Sequence, residues 1–260
     1  MKTIRMEEMA WPDIKAAIEQ GFTTAVVGVG STEQHGPHLP TMTDARIAEE
    51  VAHRVALKLG NALQARTVDV GVSEHHLAFA GTISLRPETL KMILSDYVDS
   101  LVRSGFKRIV FVPTHGGNFA TVAQVIVESR AAHPGIEVTG YTDLLGLTGF
   151  LNQVSGEHGI TAEESGAHAG ESETSIMMVL ERDLVVPERF TSGYLGPLGE
   201  AEVKVIFERG MPALTANGVL GDPRKASAER GRIYLERVAD FLREKVERAA
   251  PRGQTLAPTP

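Results

Sequence analysis

The sequence predicts an α/β domain with a mostly parallel sheet covered by helices on both faces, and two observations carry that expectation. Apolar, β-rich runs alternate along the chain with amphipathic stretches of helical period, the order that generates parallel strands joined by crossover helices. At 260 residues with a 42% hydrophobic fraction, the chain also has enough apolar material to bury a substantial core. No internal repeat, low-complexity block or linker interrupts it, so residues 1–250 are expected to form one domain and 251–260, PRGQTLAPTP, a disordered tail.

Strands are expected near 23–31 (TTAVVGVGS), 65–72 (ARTVDVGV), 108–115 (RIVFVPTH) and 136–144 (IEVTGYTDL). Helices fit the intervals. In DARIAEEVAHRVALKLG, Ile47, Val51, Val55 and Leu59 recur every four residues. In PETLKMILSDYVDSLVRSG the stripe is Leu90, Ile93, Tyr97 and Leu101, with Pro87 suited to a first turn. Residues 145–167 have weak periodicity and several glycines, which reads as an irregular surface excursion. A helix then starts near Glu171, and a long one runs over 226–250 with Arg232, Arg237, Arg243 and Glu247 on its wet side.

Composition narrows the chemistry. Lys plus Arg number 26 and Asp plus Glu 33, so the formal charge is 26 − 33 = −7, which offers nothing to nucleic acid or an anionic membrane. A small molecule or a protein is the expected partner. With no cysteine, disulfides, thiolate metal sites and a cysteine nucleophile are excluded, and any metal must sit on His, Asp and Glu. The N-terminal stretch has no apolar h-region and nowhere are there 18 consecutive apolar residues, so a cytoplasmic location is expected.

In an open parallel sheet, ligands bind beyond the carboxyl ends of the strands, and the chemically loaded residues collect there. Glu33 and His35 follow the first strand; in extended chain they point to the same side and suit one cavity or two adjacent ions. Asp44, where the loop enters a helix, fits either a bridging ligand or an ordinary helix cap. His115 closes the third strand within THGGN, where Gly116 and Gly117 permit close backbone approach and Asn118 opens the next helix. Glu74, His75 and His76 follow the second strand. In GAHAGESETSIMMV, His168, Glu171 and Glu173 precede an apolar helix, in whose first turn the two acids are also favourable against the helix dipole. VGVGSTEQHG matches neither dinucleotide nor P-loop spacing, and Ser84 lacks the surroundings of a nucleophilic serine.

GSTEQHGPHLP followed by Asp44, then SEHHLAFAGTISL, THGGN, HAGESETS and NGVLGDPRKASAERG, in this order over about 22–232, resembles the creatininase (creatinine amidohydrolase) family. The resemblance implies a three-layer α/β/α sandwich, a binuclear centre of zinc, manganese or iron, hydrolysis of a non-peptide C–N amide bond, and a homohexamer assembled as a trimer of dimers. It implies that Glu33 and His35 each bind one metal, that Asp44 bridges both, and that His115 is a further ligand. It casts His168 as the proton-shuttling histidine, with Glu173 orienting it. Two ions sharing Asp44 would lower the pKa of a bridging water from 15.7 toward about 7.

One departure stands out. Creatininase itself has GHYEN in the fourth motif, with its Glu a ligand, whereas this chain has Gly117 there. A fifth ligand must then come from elsewhere, and the resemblance implies Glu171, since many relatives with GHGGN also have HAGE, with Glu173 the alternate; Glu74, His75, Gly116, Gly117 and Asn118 are expected at the substrate pocket. The same departure, with no tryptophan pair to clamp a flat ring, turns the expected substrate from creatinine toward other small linear or cyclic amides. Relatives of that kind include formamidopyrimidine-type deformylases and the peptidase that trims the mycofactocin precursor.

Overall fold

The structure is a computed structural model and describes residues 1–249; the tail expected to be disordered lies outside them. Four strands form one parallel sheet in the order β2-β1-β3-β4, with β1 Thr24–Val29, β2 Ala62–Gln64, β3 Arg108–Pro113 and β4 Glu137–Gly140. The helices are α1 Trp11–Glu19, α2 Thr43–Leu59, α3 Pro87–Ser104, α4 Phe119–Ala132, α5 Leu144–Gly156, α6 Ala162–Ser165, α7 Glu171–Leu180, α8 Glu200–Arg209 and α9 Ala228–Ala249.

Successive side chains of a strand point to opposite faces, and the two cores divide accordingly. Val26, Val110 and Val112 pack with α2, α5, α7 and α9, while Ala25, Val27, Ile109 and Phe111 pack with α1, α3 and α4. The result is the three-layer α/β/α sandwich. Ile47, Val51 and Val55 are buried as their stripe requires, and Pro87 occupies the first turn of α3. On α3 the most deeply buried positions include Leu90, Leu94 and Val98, with Ile93 and Tyr97 half-buried beside them.

Three expectations change. The second strand is Ala62–Gln64, ahead of the expected 65–72. Ala65 and Val68 donate to the carbonyls of Val26 and Gly28, both at 2.9 Å; three residues on one side span two on the other, so an extra residue breaks the ladder. The last strand stops at Gly140, because Asp143 instead caps α5, its carboxylate accepting from Gly146 N at 2.8 Å. Residues 145–167 are largely helical. Besides the Asp143 cap, Thr161 and Glu164 form a reciprocal capping box at the start of α6.

The strand order β2-β1-β3-β4 reverses between β1 and β3, and in such sheets the crevice outside the strand ends at that point is where ligands bind. Glu33 and His35 follow β1 and His115 follows β3.

Candidate metal centre

The chain beyond β1 is pressed against the start of α2. A Cβ at Gly30 would fall 2.4 Å from Ala45 Cα, so only glycine permits the approach. Thr114 Oγ1, just after β3, donates to the Asp44 carbonyl at 2.9 Å. Asn118 ties the third segment in: its Nδ2 donates to the Gly30 carbonyl (2.8 Å) and its Oδ1 accepts from Val72 N (3.0 Å). These backbone contacts converge Glu33, His35, Asp44 and His115 on one buried spot, joined by His76, His168 and Glu173.

The side chain of Asp44 does not cap α2, which starts at Thr43 without a side-chain cap. Its two oxygens face different imidazoles: Oδ1 lies 3.2 Å from His35 Nε2 and Oδ2 lies 3.1 Å from His115 Nδ1. His115 Nδ1 is also 3.2 Å from Glu33 Oε1. On the other side, Glu173 Oε2 lies 3.9 Å from His35 Nε2. Both Glu33 oxygens and Asp44 Oδ2 are buried with no hydrogen-bond partner among the described residues. Buried carboxylate oxygens left unpaired are costly. Donor atoms at 3.1–3.2 Å that are close but not aligned for hydrogen bonding fit ligands sharing a cation, for which metal–ligand distances are about 2.0–2.2 Å. Groups of His and carboxylate able to hold a metal ion are Glu33/His35/Asp44, His35/His168/Glu173 and Glu33/His76/His168.

Electrostatics agree with a site built for positive charge. Burial opposes protonation of His35, but Asp44, then Glu173 and Glu33, carry it up to about 9. His115 is raised well above its ordinary value against burial by Glu33 and Asp44. Asp44 is held far down, against burial, by His35 and His115. Burial pushes Glu173 up to about 7 despite His35. Burial and neighbouring imidazoles push His168 and His76 well down, so both are neutral.

Glu171 is not brought to this centre. Its Oε1 accepts from Ser175 Oγ and Arg230 Nε, both at 2.7 Å, and its Oε2 accepts from Tyr234 Oη at 2.8 Å. A fully satisfied carboxylate clamping α7 to α9 has no donor to spare for a metal. Glu171→Ala therefore leaves metal content unchanged and destabilises the fold. Removing one partner of this buried pair costs about 3 kcal/mol, a melting-temperature loss of roughly 6–12 °C for a chain of this size; differential scanning calorimetry beside elemental analysis checks it. Glu74 is exposed and outside the cavity, because the residues after Ser73 form a tight helical turn that turns His75 and His76 inward instead. Asn118 spends its amide on backbone groups and does not line the cavity, and neither does Gly117. A Cβ at 117 would sit 1.9 Å from the Val72 carbonyl oxygen, so no ligand side chain fits there. His75 and Gly116 do line the cavity.

The cavity above the cluster measures about 110 Å³. Glu33, His76, His115, His168 and Glu173 form its polar floor; its walls are apolar, from Leu144, Leu147 and Leu151 of α5 and Val203, Ile206 and Phe207 of α8. Phe207 packs on His75 with ring centroids 4.6 Å apart. Neither wall had a motif to announce it. His76, by contrast, stands in a motif beside His75.

A parallel α/β/α sandwich here carries a buried His/carboxylate cluster, able to hold a metal ion, under an apolar cavity at its switch point. Comparison places it more narrowly. The family model described as Creatininase: Creatinine amidohydrolase matches residues 7–246, and the chain belongs to the creatininase family. It is 32% identical over 238 residues to the mycofactocin precursor peptide peptidase of Mycobacterium ulcerans, covering 88% of this chain and 87% of that protein. A crystal structure of creatinine amidohydrolase superimposes with a TM-score of 0.81 at 25% identity, covering 97% of this chain and all of that one. A mutant creatininase of Zn–Zn type gives 0.80 at the same identity, over 96% of this chain and all of that one. Among the described residues, no helix is long and apolar enough to cross a membrane.

Proposed function

We propose that this protein is a binuclear metal-dependent amidohydrolase that cleaves the C–N bond of a small linear or cyclic amide. The observation that carries the reading is Asp44, whose two oxygens are directed to two different imidazoles, the arrangement a bridging carboxylate needs. Glu33 and His115 would hold one ion with Asp44, and His35 with Glu173, in place of Glu171, the other. Zinc, manganese and iron all suit such a ligand set. When bound, two such ions supply Lewis acidity to the amide carbonyl and a water ionisable near neutral pH.

The chain's own residues supply the rest. His168 Nε2–H donates to the Gln34 carbonyl at 2.8 Å, which leaves Nδ1 free on the cavity side, 3.7 Å from Glu33 Oε1. A neutral imidazole held this way takes a proton from the attacking water through Nδ1 and returns it to the departing nitrogen. Glu173 fixes the loop that carries it. Its Oε2 accepts from Ala169 N at 2.6 Å, and Ala169 is held at φ 53, a left-handed conformation that a non-glycine residue adopts only under constraint.

The apolar walls favour an amide bearing an apolar group, and with the peptidase relative they support a second reading in which that amide lies in a short peptide. A screen of formamides, cyclic amides and short peptides against the metal-loaded protein, with chelator controls, tests the proposal; metal-dependent turnover of none of them overturns it. The homohexamer is likewise proposed, and sedimentation velocity checks it.

The same geometry sets a pH dependence. His35 carries a proton up to about pH 9 in the protein alone, and a cation on Nε2 must displace it. Each displaced proton costs about tenfold in apparent affinity per pH unit below that value, so affinity rises with pH. Between pH 6 and 8 isothermal titration with Zn²⁺ should tighten at least about a hundredfold, with net proton release. An affinity flat across that range contradicts the assignment.

A further inference from the structure

The amide of Gln34 has one orientation. The backbone N–H of Gly36 donates to its Oε1 at 2.9 Å, so its nitrogen must be the atom facing His76 Nδ1, also at 2.9 Å. Gly218 makes room for the amide: at φ 80, a Cβ there would lie 2.0 Å from Gln34 Oε1. The amide nitrogen also lies 3.0 Å from His168 Nε2 and 3.3 Å from the Gly218 carbonyl. His168 Nε2–H is committed to the Gln34 carbonyl, so the two amide hydrogens go to the Gly218 carbonyl and to His76 Nδ1, which accepts and carries no proton. The ring is therefore neutral, with its single hydrogen on Nε2. That Nε2 lies 3.2 Å from Glu33 Oε1, but no aligned hydrogen bond joins them, and His76 lines the cavity floor.

Resting on the amidohydrolase reading, we infer that His76 is a catalytic residue, its Nε2–H donating a hydrogen bond to the substrate's carbonyl oxygen as that oxygen becomes an oxyanion. Water oxygen adds to the carbonyl carbon and the C=O π pair moves onto oxygen. His76 stabilises that charge without giving up its proton. The oxyanion's pair then re-forms the C=O bond as the C–N bond breaks, the C–N pair leaving on nitrogen, which takes the proton that His168 received from the attacking water. Gln34 is the positioning residue that fixes the His76 tautomer. A preorganised donor at a developing oxyanion is worth about 10²–10³-fold in kcat.

The test uses the zinc-loaded full chain and phenylboronate, a tetrahedral anion mimic, so that it reads His76 whether or not any amide is turned over. Failure of every amide in the screen would count against the proposed function and leave this result standing. Expected are equal zinc contents in the unaltered, His76→Leu and His76→Gln proteins, phenylboronate binding weakened at least about tenfold by His76→Leu, and recovery to within about threefold by His76→Gln, whose amide N–H replaces the donor. Nitrogen-15 NMR should show His76 protonated at Nε2 alone, and a mixture of tautomers in Gln34→Leu. Loss of zinc from the His76 variants, equal affinity in all three proteins, no binding by the unaltered protein, or a proton on Nδ1 overturns the inference.

Discussion

Asp44→Ala protein should bind neither metal ion, turn over no amide, and keep the far-ultraviolet circular dichroism of the unaltered protein. Asp44 has an oxygen on each side of the cluster, 3.2 Å from His35 and 3.1 Å from His115. Without it, His35 and Glu173 no longer form a ligand set, and Glu33 and His115 lose their third donor. The loss of an ionisable water lowers turnover at least about 10⁴-fold. The fold survives for a physical reason. Asp44 is foremost among the charges that raise His35 against burial; once it is gone, His35 can release its proton instead of remaining as an unpaired buried charge. α2 loses nothing structural, since it begins without using Asp44 as a cap. Elemental analysis beside circular dichroism reads both halves, and full metal occupancy in the variant sinks the bridging role.

His168→Ala should behave in the opposite way. Metal content stays at the unaltered level while kcat falls about 10²–10⁴-fold, the usual worth of a positioned acid–base group. His168 lies 3.7 Å from Glu33 Oε1 and against the His35 ring, centroids 4.1 Å apart, but its Nε2 is committed to the Gln34 carbonyl. Loss of metal together with activity would make it a ligand, as its grouping with Glu33 and His76 permits. Unchanged turnover would reduce it to a loop anchor.

Much of this site is legible in the sequence because it hangs on strand ends. Glu33, His35 and His115 follow two apolar runs that read plainly as buried strands, and the helix after Asp44 has a regular stripe. These elements formed with small changes at their limits, so their attached side chains converge. Glu171 is preferred over Glu173 on sequence, yet the structure sets Glu173 beside His35 and Glu171 away from it, and both open the same helix. At about 100° per residue, positions two apart face nearly opposite ways, and nothing in HAGESE says which way α7 is turned. Packing decides: Arg230 and Tyr234, some 60 residues on, claim Glu171 and leave Glu173 to the cluster. Glu74 is expected at the pocket beside His75 but faces out, while His76, given no role on sequence, faces in, since that segment is a tight turn and not extended chain. The apolar walls from α5 and α8 were invisible, because a cavity wall is made of the same residues as a core and has no spacing of its own. Only the cap at Asp143 and the capping box at Thr161 signalled that 145–167 would be helical.

The most direct measurement is anomalous diffraction at the metal edge from crystals of the full chain grown with divalent zinc or manganese. The account predicts two peaks in each molecule, about 3.5–4 Å apart, one beside each oxygen of Asp44. A single peak, or peaks that leave Asp44 to one side, contradicts it.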